Sequence, residues 1–267
     1  MDLESFNTSR ESLVPLLALN NKSNKNIIIF PTDKEAIEFS TDFSNLNKNI
    51  FHLPSWDTLS YDSFVPSFDI QGKRLEIAHL LLTNNNYNIA TSIKAISQRI
   101  YFEELEICKI ELNEEIDFDS LIENLIHLKY QRKDRVESKG SFAIRGGQLD
   151  VYPINYDLPL RVIFDGDLVN EIKTFDTISQ RSISETNNIL VVPATELFQI
   201  QQSDILNLSS NNKENLDDYE LFQYSQNLDL EKCLLDLTSK ATLHIVDKNL
   251  VDNQLKEIID IEKDTFE

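Results

Sequence analysis

The chain has 267 residues, of which 41% are hydrophobic, and its formal net charge at pH 7 is −20. This charge excludes a protein whose whole surface binds nucleic acid or an anionic membrane, because phosphate contacts require clustered Lys and Arg. Cys108 and Cys233 are far apart in the sequence, which argues against a disulfide framework and favours a reducing compartment. With no signal-peptide pattern and no apolar run of about 18 residues, the sequence predicts a cytoplasmic protein without a membrane partner.

Residues 1–107 alternate between strand and helix patterns, which predicts a parallel α/β layer. The predicted strands are 26–30, 49–54 and 87–92, and the predicted helices begin at Thr32 or Asp33, at Asp69 and at Ile93. A phosphate-binding loop needs glycines between strand and helix, and none of the five glycines precedes Gly72. The first strand-to-helix turn, in IIIFPTDKEA, therefore cannot hold a nucleotide in the manner of a P-loop.

Residues 108–194 have a different pattern. The stretch EEIDFDSLIENLIHLKYQ predicts a helix, with EEID as its solvated start. Strand-like runs lie on both sides of Gly146-Gly147, and Asp165-Gly166 between two β-rich runs predicts a type I′ hairpin turn. We therefore predict a small α+β domain with an antiparallel sheet. From residue 195 a polar stretch leads back to a strand, ATLHIVD, and a final helix, so the α/β pattern returns.

The usual signatures of catalysis and metal binding are missing from the sequence. The four histidines are scattered, and there is no CxxC, HExxH or GxSxG pattern. We expect no catalytic residue, no metal and no cofactor.

One basic cluster interrupts this acidic chain. Residues 129–145 contain six basic side chains and two acidic ones, with Arg132, Lys133 and Arg135 close together. Two interpretations remain equally open: a solvated helix end followed by a loop, or an electropositive patch for an acidic partner or DNA.

Arg145 and Arg161 are more specific candidates within this region. Arg145 directly precedes a Gly-Gly turn, and Arg161 lies in the strand that leads to the Asp-Gly turn. An arginine on a rigid sheet can anchor an interface, or it can pair with an acid on the neighbouring strand. The residues alone leave both interpretations open.

Two blocks of this sequence resemble a known family. LPSWDTLSYDSFVPSFDIQGKRL, and GSFAIRGGQLD followed by LPLRVIFDGDLVNEIKTFDTISQRS, are similar to motifs of the bacterial transcription-repair coupling factors (Mfd). The excinuclease protein UvrB shares the second block, but it carries a phosphate loop that this chain lacks. The resemblance therefore favours the N-terminal region of a coupling factor, and it is strongest over 53–75 and 130–194.

The resemblance implies a fold and a domain division. It implies a degenerate helicase-like α/β domain without a phosphate loop, with a small α+β domain inserted. The implied divisions are 1–107 for domain 1a, 108–194 for domain 2 and 195–267 for part of domain 1b. The family continues into a region that binds RNA polymerase and an ATP-driven translocase on double-stranded DNA, so this chain is expected to perform no catalysis itself.

The resemblance also implies a partner and a site. Domain 2 of the family docks the excinuclease protein UvrA through two arginines and an aromatic residue. The arginines match Arg145 and Arg161, whereas the aromatic position holds Asp165, with Phe164 just before it. The third contact therefore falls to Phe164 or to the Asp-Gly turn, and Arg132, Lys133 and Arg135 are possible supporting residues.

The aromatic stretch of the first block has two interpretations. We favour Trp56, Tyr61, Phe64 and Phe68 as packing groups over groups that stack on DNA. Two other functions remain open for the chain as a whole: a structural domain that masks domain 2 in the intact protein, and an enzyme fragment with residual DNA or nucleotide chemistry.

Overall fold

The computed structural model describes residues 6–8, 25–44, 50–58, 64–84, 86–98, 105–197 and 241–266. The chain divides into two compact units. The first unit comprises Met1–Pro66, Ile77–Tyr101 and Ile205–Glu267, and the second comprises Ser67–Glu76 and Phe102–Asp204. No helix within the described ranges has both the length and the apolar character that crossing a membrane requires.

The first unit is built on a parallel sheet. Its described strands are β1 (Phe6–Thr8), β2 (Lys25–Phe30), β3 (Phe51–Leu53), β4 (Tyr87–Ser92) and β13 (Thr242–Val246). They lie in the order β1-β13-β2-β4-β3, and every neighbouring pair is parallel. The central strand β2 is an apolar run that is buried on both faces, as is typical of parallel sheets.

Three described helices accompany this sheet. They are α1 (Asp33–Ser44), α3 (Ile93–Ser97) and α5 (Lys248–Phe266). Helix α1 buries Ala36, Phe39 and Phe43 in a cluster with Ile28 and Phe30 of β2. The helix that the sequence predicts from Thr32 or Asp33 is present, and the mixed α/β character of the chain is confirmed.

The second unit contains a six-stranded sheet. Its strands are β6 (Gln131–Arg132), β7 (Ser141–Arg145), β8 (Gln148–Tyr152), β9 (Leu160–Asp165), β10 (Leu168–Phe175) and β11 (Ser182–Glu185). They lie in sequence order across the sheet, and all neighbours are antiparallel except β6 and β7. The predicted antiparallel sheet is confirmed.

The two faces of this sheet differ in chemistry. One face carries the main core, to which Phe142, Leu149, Val162 and Phe164 contribute, together with residues of the helix α4 (Phe118–His127). A two-stranded sheet of β5 (Cys108–Glu111) and β12 (Asn188–Val191) adds to the same core. The opposite face, which we call the polar face, carries Arg145, Asp150 and Arg161 because side chains alternate along each strand.

The start of α4 differs from the prediction. The helix begins at Phe118, and the Asp117 side chain accepts a hydrogen bond from the Ser120 amide as an N-cap. Glu115 instead forms an isolated bridge with Leu168. Because backbone pairing with the β9–β10 hairpin engages this segment, EEID is not the first turn of the helix.

The β9–β10 turn also differs from the predicted type I′ turn. Asp165 pairs with Leu168, so the two central residues are Gly166 and Asp167. Only Gly166 has a positive φ, +61°. A type I′ turn requires positive φ at both central residues, whereas type II′ requires it at the first one alone.

The helix α2 (Phe68–Thr83) begins in the second unit, although the sequence places it in domain 1a. Arg74 is only 2% exposed and donates a 2.8 Å hydrogen bond from Nε to Glu196. The Gln71 side-chain oxygen accepts from the Glu196 amide at 2.9 Å. Gly72 lies so close to Ile154 that a Cβ there would stand 2.5 Å from the Ile154 carbonyl oxygen. These contacts make Ser67–Glu76 part of the second unit.

Replacing Gly72 with alanine tests this close packing. Alanine in a helix interior normally stabilises by about 1 kcal/mol relative to glycine. At position 72 the added methyl group meets backbone atoms of Ile154, so we expect the free energy of unfolding to fall by about 1–3 kcal/mol. Urea denaturation measures the change. The exposed neighbour variant Lys73→Ala should change it by at most about 0.5 kcal/mol. A stabilised Gly72→Ala protein would contradict the packing described here.

Candidate partner-binding site

Two hairpin turns, β7–β8 and β9–β10, lie at the same end of the six-stranded sheet. Arg145 pairs with Gln148 across the Gly146-Gly147 turn, and the strand β9 ends beside it at Asp165. The Gly147 carbonyl accepts a 2.8 Å hydrogen bond from the Phe164 amide. A Cβ on Gly147 would lie 3.0 Å from the Phe164 oxygen, which is tighter than most Cβ contacts, so glycine suits this position. The β7–β8 turn is therefore fixed against the end of β9.

Arg145 lies at this end of the sheet, and its side chain is exposed. Its described hydrogen bond is a donation from Nη2 to the Asp134 carbonyl, at 3.2 Å. The contact ties it to the loop of residues 133–139 and leaves a guanidinium that can still donate several hydrogen bonds. Arg145 has the exposure that a direct partner contact requires.

Arg161 is in a different environment. Its side chain is 14% exposed, and it forms a bidentate ion pair with Asp150, with Nε–Oδ1 and Nη2–Oδ2 distances of 2.7 and 2.8 Å. Its guanidinium carbon lies 4.5 Å from the ring centroid of Phe175, and Nη1 donates to the Gln180 carbonyl at 3.2 Å. The hydrogen bonds with Asp150 raise the pKa of Arg161. Of the two interpretations, the structure therefore supports cross-strand pairing for Arg161.

The two candidates for the third contact lie in opposite environments. Phe164 is 7% exposed and packs edge-on against Phe118, with ring centroids 5.0 Å apart. Alternation along β9 directs the Phe164 ring into the main core and away from the exposed surface, and its role as a partner contact stays a prediction. Asp165 is exposed at the hairpin turn, so it can meet a partner but offers no aromatic surface.

The three basic residues of the possible supporting patch are exposed. Arg132 lies on β6, and Lys133 follows it, with its amide bonded to the Phe142 carbonyl at 2.8 Å. Arg135 donates from Nη2 to the carbonyls of Thr177 and Ile178, at 2.8 and 2.9 Å. Val136, in the same segment, packs against Ala143 and Phe175 of the polar face. The basic cluster therefore lies along the polar face.

The aromatic stretch of the first block is described in part. Trp56 is 6% exposed, and its amide donates to the Gln98 side chain at 2.9 Å. Tyr61 lies outside the described residues. Phe64 is 61% exposed, so the packing interpretation does not hold for it. Phe68 is 44% exposed, although its ring lies close to Gly140.

Comparison with known proteins finds a match within the second unit. A family model described as the UvrB interaction domain matches residues 108–197. Residues 108–197 are therefore similar to that domain. The domain includes Arg145, Arg161 and the whole polar face, and below we call it the interaction domain.

The chain is also similar to longer proteins. It is 29% identical over 174 residues to the transcription-repair-coupling factor of Escherichia coli, which covers 64% of this chain and 15% of the relative. It is 28% identical over 190 residues to the transcription-repair-coupling factor of Bacillus subtilis, a match that covers 68% of this chain and 16% of the relative. UvrABC system protein B of Thermosipho africanus is 22% identical over 194 residues, covering 66% and 29%. The resemblance to coupling factors is confirmed, and the chain spans about a sixth of their length.

Sequence reasoning missed two buried acids that organise the interaction domain. Asp150, which holds Arg161, is 3% exposed, and Glu196, which holds Arg74, is 5% exposed. The alternation in GQLDVY places Asp150 opposite its neighbours Leu149 and Val151, which is the available signal. Nothing in the sequence links Arg74 to Glu196, because 122 residues separate them. Among the described residues no cluster of His, Cys, Asp or Glu could hold a metal ion.

Single alanine variants should separate the two arginines by stability. Arg161→Ala leaves the buried Asp150 carboxylate without its guanidinium, so we expect the free energy of unfolding to fall by about 3 kcal/mol. Arg145→Ala removes an exposed side chain and should change it by no more than about 0.5 kcal/mol. Urea denaturation followed by fluorescence measures both. Equal effects of the two variants would contradict the separate roles assigned here.

Proposed function

We propose that this chain is the N-terminal, UvrB-like module of a transcription-repair coupling factor. In this proposal its interaction domain recruits the excinuclease protein UvrA to stalled RNA polymerase during transcription-coupled nucleotide excision repair. The observation that carries the proposal is the match of residues 108–197 to the UvrB interaction domain, with an exposed arginine at the matched motif. Motor activity, contact with RNA polymerase and translocation on DNA belong to other regions of the full-length family.

Arg145 is the direct anchor in this proposal. Its side chain is exposed, and the rigid Gly146-Gly147 turn fixes the backbone beside it. A planar guanidinium forms bidentate, charge-assisted bonds with carboxylates, and holding it on a sheet reduces the entropy lost on binding. Arg132 and Lys133 extend the positive charge along the same domain. The partner surface should therefore be acidic.

Arg161 has a supporting role in this proposal. Its bidentate pair with Asp150 already uses two of its donor groups, and its side chain is largely buried. A protein partner could reach only its remaining donors. Removing Arg161 would reduce binding mainly by disturbing the polar face, so a double variant of both arginines would confuse loss of folding with loss of contact.

The first unit supports recruitment without chemistry. In phosphate-binding folds a helix that follows a strand of the parallel sheet directs its N-terminal amides at the anion, and α1 follows β2 in this way. Here the Glu35 amide donates to the Thr32 hydroxyl, and the Glu35 carboxylate accepts a hydrogen bond from that hydroxyl. The Asp33 carboxylate accepts hydrogen bonds from Ser55. Carboxylates occupy the end of the helix at which a phosphate would bind. We infer a degenerate nucleotide-binding fold that performs no ATP hydrolysis.

Calorimetric titration with purified UvrA tests the proposal. The wild-type chain should bind, and a higher salt concentration should weaken binding because the contact is charge-assisted. Arg145→Ala should weaken it by about 1–3 kcal/mol without loss of folding.

Lys34→Ala is the matched control, because it removes one exposed positive charge from the first unit. Its affinity should stay within about twofold of wild type, since exposed charges away from an interface contribute little. Absence of wild-type binding would refute recruitment, and equal affinities of the wild type and Arg145→Ala would refute the site.

A further inference from the structure

The loop of residues 176–181, between β10 and β11, exposes an unusual side chain. Ile178 is 86% exposed, which is the largest exposed fraction among the large hydrophobic residues described. Ile183, on the adjacent strand β11, is 57% exposed. Single exposed aliphatic residues are common, so exposure alone does not mark a site. The backbone that holds Ile178 supplies the second observation.

Internal hydrogen bonds hold the 176–181 loop in one conformation. The Asp176 side chain accepts from the Ser179 amide at 2.7 Å, and its carbonyl accepts from the Gln180 amide at 2.8 Å. The first of these bonds lowers the pKa of Asp176. The Gln180 side chain donates to the Thr177 carbonyl at 2.8 Å, and Gln180 itself has a φ of +61°. A loop with this many internal bonds does not collapse to bury its apolar side chain.

Two arginines hold the same loop from outside. Arg135 donates to the carbonyls of Thr177 and Ile178, at 2.8 and 2.9 Å, and Arg161 donates to the Gln180 carbonyl at 3.2 Å. Asp150 fixes the orientation of Arg161 through its bidentate pair. The polar face therefore fixes the backbone on both sides of Ile178, while the isoleucine side chain points into solvent.

The charges around the loop define the partner that fits it. Arg135, which bonds the loop, and Arg181, which ends it, are both exposed in a chain whose net charge is −20. Protein interfaces commonly place an apolar anchor in a pocket and surround it with polar and charged contacts. An isoleucine among exposed arginines fits an apolar depression bordered by carboxylates. Preorganisation of the loop reduces the entropy that binding would otherwise cost.

We propose that Ile178 is an apolar anchor of the surface that docks UvrA. We further propose that Arg161 is a positioning residue, which acts by holding the 176–181 loop and not by contacting the partner. Both statements rest on the function proposed above. They assign to this surface an apolar contact that the two arginines and Asp165 do not provide.

Titration of UvrA with loop variants of the full chain tests the anchor. Ile178→Ser should weaken binding about 30-fold, as expected for a hot-spot residue. The control is Ile126→Ser, which removes an isoleucine that is 54% exposed on α4, and it should bind like wild type. If Ile178→Ser binds within twofold of wild type while Arg145→Ala is weakened, the anchor is refuted and recruitment stands. If the wild type does not bind, both proposals fall.

A double-mutant cycle tests the positioning role. Arg161→Lys retains the positive charge but cannot form both the bidentate pair and the bond to Gln180. It should weaken binding in the wild-type background, and should have almost no further effect once Ile178 is serine. Amide hydrogen exchange at Ser179 and Gln180 should become faster in Arg161→Lys. Additive losses of affinity would show that Arg161 contacts the partner directly and would overturn the positioning role.

Self-association is the competing use of an exposed isoleucine. Light scattering of the chain at two concentrations measures it directly. We expect a monomer at both. A dimer that Ile178→Ser abolishes would assign the side chain to contacts between copies and would overturn the proposed anchor.

Discussion

The polar face of the interaction domain depends on the ion pair between Arg161 and Asp150. Asp150 is 3% exposed, and a carboxylate so deeply buried is stable only when it is paired and hydrogen-bonded. The guanidinium meets that need from the next strand, packs on Phe175 and still reaches the Gln180 carbonyl. One residue thus links the sheet, the small apolar cluster above it and the loop that exposes Ile178. The pair is weak evidence for stability by itself, but breaking it disturbs all three.

Arginines that align with the same kind of motif can have different physical roles. Arg145 and Arg161 lie on the same face of one sheet, yet only Arg145 is exposed enough for its whole guanidinium to contact a partner. Under the proposed function, losing either arginine would reduce affinity, so binding measurements on alanine variants alone cannot distinguish these roles. Stability and coupling to the loop can distinguish them. A strongly acidic chain can present a localised positive surface in this way, because the sheet holds several basic side chains on one face.

The sequence predicted the elements whose signal is local. The predicted strands 26–30 and 87–92 are β2 and β4, the helix predicted from Thr32 or Asp33 is α1, and the strand-like runs beside Gly146-Gly147 are β7 and β8. The sequence-based predictions failed where the structure depends on the register between paired strands. The choice between the two turn types at Gly166 depends on which residues pair across the hairpin. The role of Arg161 depends on which acid lies opposite. The burial of Phe164 follows from alternation, but the motif comparison drew attention to its aromatic ring instead.

The segment Ser67–Glu76, which we call the strip, limits how the second unit can be transferred between proteins. Its contacts with Glu196 and Ile154 mean that the polypeptide enters the second unit twice, once through part of α2 and once from residue 102 onwards. A graft made from the contiguous stretch alone would leave Glu196 without its Arg74 partner and would uncover the backbone of Ile154 against which Gly72 packs. A chimera of two such proteins should therefore exchange both pieces together. In such an exchange, a side chain at position 72 would clash with the Ile154 backbone and cost stability, so the donor of the strip should also have glycine there.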